Sequence, residues 1–347
     1  MSEARTARGF RDILPTEALS RERVCAHVQE VFSSWGYVPV ETPTLELASA
    51  LEAAGPLDHS SFKLFDSDGE LLVLRPDVTL PIARLVGTRM VDYQLPLRLR
   101  YRQTVFREAR GWRGQARAFT QIGVEHIGSD AASADIEILL MLDEALQQSG
   151  LADYAIAFCS VSPLRCLLGR CCEQGQVGGD WEHAVLAACH DNDLVAVDGL
   201  SRSPGVEVAY GNALRALVRL NGGAEAVEQA RAIMSGIGGD HDLLLLERSF
   251  AEVSQKRPQT RFIIDFSVMS SFDYYTGLVL AAYAPGLGIP LASGGRYDHT
   301  LAQFGLAAPA AGFALHLERI IDTLSQDVPG GAVCPSGLQQ AAPGGGG

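Results

Sequence analysis

Leu97-Arg98-Leu99-Arg100-Tyr101-Arg102-Gln103-Thr104-Val105-Phe106-Arg107 and, after a ten-residue interval, Ala118-Phe119-Thr120-Gln121-Ile122-Gly123-Val124-Glu125 are the stretches from which this chain is read. Leu97, Leu99 and Tyr101 alternate with Arg98, Arg100 and Arg102, the period-two pattern of a strand with one face in a core. Residues 119–127 form a second strand. Ile122 and Val124 share one face with Thr120, and Gln121, Gly123 and Glu125 share the other. Two polar side chains around a glycine leave a vacant place over the backbone that suits a small ligand. A solvent-facing strand would show the same pattern, and this segment alone leaves both readings open.

Outward from this pair, Val24, Val28, Val31, Phe32 and Trp35 recur at three- and four-residue spacing after Pro15, predicting a helix ended by Gly36. Tyr37 to Pro43 carries two prolines and is expected to be extended, as an edge or interface strand. Residues 62–64 and 70–74, joined across Asp66-Ser67-Asp68-Gly69, read as a hairpin. Asp130 to Gly150 has helical period, with Ile136, Leu139, Leu140 and Leu146 inward. Between Pro163 and about Ile233 the composition turns to Ala/Leu/Cys-rich helical patterns broken by glycines. Strands return at 261–266 and 272–283, and 310–324 reads as a last amphipathic helix. The order is that of an α+β fold with a helical insertion.

Composition bounds the function. The 347 residues are 47% apolar, ample for a buried core. A net charge of −13 repels phosphate backbones and disfavours nonspecific nucleic-acid binding. The N-terminus lacks the apolar stretch of a secretory signal, and the longest uncharged run, Tyr274 to Gly295, is interrupted by Pro285 and Pro290. A soluble, cytoplasmic protein with no membrane partner is expected. Seven cysteines, with no C-x-x-C pair, read mostly as small buried hydrophobes, and no metal site is expected.

The two opening stretches and the polar interval between them resemble motif 2 of class II aminoacyl-tRNA synthetases of the histidyl type. Ser270-Ser271-Phe272-Asp273-Tyr274-Tyr275 and Ser293-Gly294-Gly295-Arg296-Tyr297-Asp298 resemble the two histidine-pocket signatures of those enzymes. Leu74-Arg75-Pro76-Asp77-Val78-Thr79 resembles the L-R-P-E-G-T loop, Gly36-Tyr37 with Thr42-Pro43-Thr44-Leu45-Glu46 the dimer-interface motif 1, and Gly312-Phe313-Ala314 with Leu317-Glu318-Arg319 motif 3. Gly9-Phe10-Arg11-Asp12-Ile13-Leu14-Pro15 fits as well. The resemblance covers residues 9–128 and 262–320. It implies a class II synthetase-like antiparallel sheet flanked by helices, with a core domain over 1–160 and 259–325, a mostly helical insertion over 161–258, and a flexible Gly/Pro-rich tail over 326–347.

By the same resemblance Asp77, Thr79, Arg107, Gln121, Glu125, Tyr274 and Tyr275 line a histidine-sized pocket, joined by the Gly294–Asp298 segment. The residue types suit that ligand: carboxylates for an ammonium, an arginine for a carboxylate, aromatic walls for an imidazole. The departures fall elsewhere. Ser270 stands in the place of a catalytic arginine, Ala109 in that of a nucleotide-contacting acid, and His316 in that of a glycine beside the adenine. Only 28 residues follow Arg319, too few for an anticodon-binding domain.

This combination resembles the regulatory subunits of short-form ATP phosphoribosyltransferase. It implies a non-catalytic, cofactor-free subunit that pairs with itself and with the short catalytic subunit in a hetero-octamer, binds L-histidine, and confers histidine feedback on the first step of histidine synthesis, without a tRNA partner. Two places stay open for histidine, the synthetase-like pocket and the subunit interface. A truncated histidyl-tRNA synthetase or related amino-acid-activating enzyme, and a stand-alone histidine sensor, are the alternatives.

Overall fold

Pro15 has no N–H to lose at a helix start, and it opens α1, Pro15–Ser34, with Val24, Val28, Val31 and Phe32 as the buried stripe. Gly36 then turns the chain at φ 81°, a left-handed conformation that glycine adopts without strain. In this computed structural model, residues 6–53, 60–108, 116–129, 131–174, 177–268 and 274–326 are described. After α1 come β1 (Val38–Pro39), β2 (Leu45–Leu47), α2 (Ala48–Glu52), β3 (Lys63–Phe65), β4 (Leu71–Leu74), α3 (Thr79–Arg89), β5 (Leu97–Phe106), β6 (Ala118–Ile127), α4 (Ala131–Gln148) and β7 (Ala155–Ser160). Six helices follow: α5 (Ser162–Gln174), α6 (Gly179–His190), α7 (Leu194–Leu200), α8 (Val208–Leu217), α9 (Ala224–Ile233) and α10 (Asp240–Lys256), with the short β8 (Asn221–Gly222) between α8 and α9. The chain closes with β9 (Arg261–Asp265), β10 (Leu278–Tyr283), β11 (Ala292–Arg296), a 3-10 turn (Leu301–Phe304), β12 (Ala310–His316) and α11 (Leu317–Gln326).

The described strands form a nine-stranded sheet, in the order β1-β5-β6-β12-β11-β10-β7-β9-β8, and a small sheet β2-β4-β3 that contains the expected hairpin. The large sheet is mainly antiparallel, as expected, with two parallel pairs. The β1–β5 and β7–β9 pairs are parallel. A parallel pair needs a long crossover, and helices α5 to α10 supply one between β7 and β9. One face of the sheet, carrying Ile122, Val124, Phe158, Leu280, Phe313 and Leu315, joins α1, α4, α11 and the inserted helices in one apolar cluster. On the other face Leu97, Leu99, Tyr101, Val279 and Ala281 meet Ile82 and Val86 of α3 and Leu301 of the 3-10 turn.

Three sequence expectations change. Residues 310–316 are a strand, with the helix starting only at Leu317. Ala310-Ala311-Gly312-Phe313-Ala314-Leu315 is covered on both faces, so the period-two signal is absent and the run passes for a helix. Of the strand expected over 272–283, residues 272 and 273 lie outside the described residues and the strand itself is Leu278–Tyr283; before it, Thr276 turns aside to hydrogen-bond Asp298 and the Arg296 carbonyl. β7 and β11 carry no alternation and were not foreseen as strands. Of the cysteines, Cys25, Cys159, Cys171 and Cys189 are buried, and Cys166 and Cys172 partly so. Cys334, Asp130 and the Gly/Pro-rich tail from residue 327 lie outside the described residues.

A buried ion pair ties α4 to the sheet. Arg296, at the end of β11, donates from Nε (3.0 Å) and Nη2 (2.7 Å) to Asp135 and from Nη1 (3.0 Å) to Asp298. Its side chain is 3% exposed and that of Asp135 9%. Asp135→Ala would remove the carboxylate that takes two of the guanidinium's donors, and is expected to cost about 3 kcal/mol of unfolding free energy. Urea unfolding of the two proteins measures this; a difference near zero would show that the pair holds nothing together.

Candidate functional site

Strand register builds the site. Gln121, Gly123 and Glu125 of β6 stand opposite His316, Ala314 and Gly312 of β12, and opposite Gln103, Tyr101 and Leu99 of β5. Gln121 and Glu125 are buried, at 5% and 1% exposure, which removes the solvent-facing reading of this strand face. The place over Gly123 is taken by the Tyr101 ring, which a Cβ there would strike. A Cβ at Gly312 would meet the Glu125 carboxylate, and one at Gly295 the Tyr275 ring. The glycines thus let three large side chains lie flat on the sheet.

What remains is a cavity lined by Asp77, Thr79, Gln121, Glu125, Tyr274 and Tyr275, six of the seven expected residues, together with Tyr101, Ser293, Gly294, Tyr297 and Gly312 to Ala314. Its volume is about 20 Å³, room for one water molecule. The expected histidine-sized space is therefore filled in this conformation by the aromatic wall. The Tyr274 ring lies 4.9 Å from that of Tyr275 and 5.9 Å from that of Tyr297. Arg107 is the seventh residue and does not line the cavity. It follows the end of β5, donates from Nε to the Pro76 carbonyl at 2.8 Å, and holds its guanidinium 5.3 Å from the centre of the Phe119 ring. Tyr101 and the β12 residues were missed because only the cross-strand register brings them to the cavity.

The cavity is acidic and contains no cationic side chain among its lining residues. Thr79 Oγ1 donates to Glu125 Oε1 at 2.8 Å, and the Tyr297 hydroxyl donates to Oε2. Burial pushes the Glu125 carboxyl up to about 8, and the neighbouring Asp77 adds to the rise while the two hydroxyls oppose it. Asp77 sits at the start of α3, where Oδ1 accepts the Leu80 N–H at 3.0 Å. Burial raises its pKa too, against the pull of the Leu80 N–H and of Arg107. Helix start and cavity wall are thus one residue's two roles. Such a site is complementary to an ammonium or imidazolium group.

Of the remaining positions, His316 is buried beside Phe119, their ring centres 6.0 Å apart. Ser270, Asp273 and Ala109 lie outside the described residues. Among the described residues no group of three or more His, Cys, Asp or Glu side chains could hold a metal ion, and no helix is long and apolar enough to cross a membrane.

A family model described as histidyl-tRNA synthetase matches residues 9–320. The chain is 36% identical over 323 residues to the ATP phosphoribosyltransferase regulatory subunit of Moorella thermoacetica, covering 92% of this chain and 82% of that protein. A crystal structure from Bacillus halodurans, described as an ATP phosphoribosyltransferase regulatory subunit/histidyl-tRNA synthetase, superposes with a TM-score of 0.84 at 31% identity, over 93% of this chain and 83% of that one. A histidine–tRNA ligase subunit from Alicyclobacillus acidocaldarius superposes with a TM-score of 0.75 at 26% identity, over 94% and 99% of the two chains.

The Glu125 environment has a measurable pH signature. Between 4.5, the ordinary carboxyl value, and about 8 the folded state keeps a proton that the unfolded state has released, so stability falls as pH rises through this window. Glu125→Gln cannot release that proton. Relative to it, the native chain is expected to lose on the order of 3 kcal/mol between about pH 5 and pH 9. Parallel denaturation profiles across that range would show that Glu125 is ionised throughout.

Proposed function

Because the chain belongs to the family of ATP phosphoribosyltransferase regulatory subunits, which shares the histidyl-tRNA synthetase fold, we propose that it is a non-catalytic subunit that activates a short-form catalytic ATP phosphoribosyltransferase and makes it responsive to histidine. The reaction so controlled is the first step of histidine synthesis, in the cytoplasm. The assembly proposed is a hetero-octamer of four regulatory and four catalytic chains.

The acidic, aromatic-walled cavity is the observation that carries the ligand half of this reading. Asp77 and Glu125 attract the cationic groups of histidine, Tyr274 and Tyr275 offer faces for its ring, and Arg107 stands beside the cavity for the carboxylate. With space for about one water, the cavity has to open to admit an amino acid. Histidine therefore favours an arrangement of the Tyr274–Tyr275 wall other than the closed one. A ligand that prefers one of two packings is what feedback through a separate subunit requires. Ser270 in place of the catalytic arginine supports the loss of amino-acid activation, and the buried His316 supports the loss of nucleotide binding.

Mixing the chain with a short catalytic subunit and following phosphoribosyl-ATP formation tests the reading. Activity should rise with added chain and fall with histidine. No stimulation at saturating partner would overturn the proposal, and histidine-dependent pyrophosphate exchange by the pure chain would favour an amino-acid-activating enzyme instead. For the site, Arg107→Ala and Glu125→Ala are each expected to weaken histidine binding at least about tenfold, the loss of one charge-assisted contact. Unchanged calorimetric affinity in both variants would move histidine to the subunit interface.

A further inference from the structure

Gln121 and Glu125 stand two pleats apart on one face of β6 and mark the two ends of the acidic cavity. Gln121 is buried, yet its Oε1 has no hydrogen-bond partner, an acceptor that a ligand ammonium can satisfy. Arg107 donates to the carbonyl of Pro76, the neighbour of Asp77. The charged head of an amino acid therefore belongs with Asp77, Gln121 and Arg107, and its side chain with Glu125 on the floor at Gly312. The two carboxyl groups differ in what holds them. Asp77 accepts the Leu80 N–H at 3.0 Å and feels the Arg107 charge, both of which favour its anion, with Glu46 as the opposing charge. Among the described residues Glu125 is met by the hydroxyls of Thr79 and Tyr297 and by no cation.

The titratable groups that face Glu125 are Asp77, Tyr101 of β5, Tyr274, Tyr297 and, from the opposite side of the sheet, Tyr37. Burial raises all four phenols, so they keep their protons near neutrality and the carboxyl groups are the ones that change charge. Burial also keeps a proton on Glu125 up to about 8, whereas an imidazole ordinarily binds one only below about 6.5. Between these values the cavity holds a neutral Glu125, and free histidine has a neutral ring. We propose, on the reading that histidine occupies this cavity, that Glu125 passes its proton to the imidazole, so that histidine enters with a neutral ring, is held as an imidazolium, and binds tightly only in a pH window around neutrality. The Glu125 O–H bond breaks and an N–H bond forms at the unprotonated ring nitrogen; no proton leaves the cavity. The difference in proton affinity is small against the attraction of opposite charges at contact in a water-poor site. Thr79 and Tyr297 already offer one hydroxyl to each oxygen of the carboxylate that forms. Below the window the ring arrives charged and a proton has to be expelled. Above it Glu125 is ionised beforehand and a proton has to be taken up. Either way affinity falls, and a histidine signal read through this cavity fades on both sides of neutrality.

Ring-nitrogen NMR of isotope-labelled L-histidine, added to the full chain at about pH 7.5, reads the proton directly. Two protonated nitrogens are expected in the bound ligand, where the free ligand has one, and the ring bound to the Glu125→Gln variant should stay neutral. Calorimetric affinity of the native chain should be highest between about pH 6.5 and pH 8 and about tenfold lower at roughly pH 5.5 and pH 9. The acid-side fall belongs to the ligand and should persist in Glu125→Gln, while the alkaline-side fall should disappear, since the amide has no proton to lose. Should that variant fail to fold, as thermal melting would reveal, the ring pattern in the native complex decides alone. A neutral ring in the native complex overturns the proposal and leaves histidine in the cavity, as does an alkaline-side fall of equal size in Glu125→Gln. Affinity that neither Glu125→Gln nor Arg107→Ala alters moves histidine out of the cavity, and the proposal falls together with the reading on which it rests.

Discussion

A carboxylate laid flat against a β-sheet needs room and donors, and the pairing of β6 with β12 provides the room. Gly312 stands opposite Glu125, and the absent side chain is the space the carboxylate occupies. Thr79, at the start of α3, and Tyr297, just beyond β11, donate the hydrogen bonds. One buried acid thus joins a helix, two strands and a loop from four separate parts of the chain. The Arg296–Asp135 pair fixes the β11 end of this arrangement, directly before Tyr297, whose side chain lines the cavity.

The same constraint explains why the site is closed. Large side chains drawn onto the glycine floor, Tyr101 over Gly123 and Tyr275 over Gly295, fill the space that the missing Cβ atoms create. Burial behind this aromatic wall also keeps Glu125 and Asp77 away from water, so their carboxyl groups hold protons more tightly than usual. Admission of a cationic ligand would reverse this, since an opposite charge at contact favours the ionised form. Packing, protonation and ligand charge are in that way one coupled property of the sheet face.

Periodicity made some of this legible in advance. The apolar stripe of α1, the alternation of Leu97, Leu99 and Tyr101, and the shared face of Gln121, Gly123 and Glu125 follow from geometry that local sequence encodes. β12, by contrast, is covered on both faces, and a strand with no exposed side has no alternation to show. The six residues that meet at the cavity were grouped by resemblance in motif order, since nothing local links Asp77 to Tyr274. Arg107 belonged to that group by sequence, and its guanidinium instead turns to Pro76 and Phe119.

The sequence by itself determined the family-like motifs, the helix and strand periods that surround them, and the residue types available for a zwitterionic ligand. Only the tertiary structure decided the parallel pairing at β1 and β7, the flat seating of Glu125 and two tyrosines on glycines, and the small volume of the cavity. The physical reason is range. Period and chirality act within a few residues, whereas register, rotamer and charge neighbourhood are set by groups that meet only after strands more than a hundred residues apart have paired.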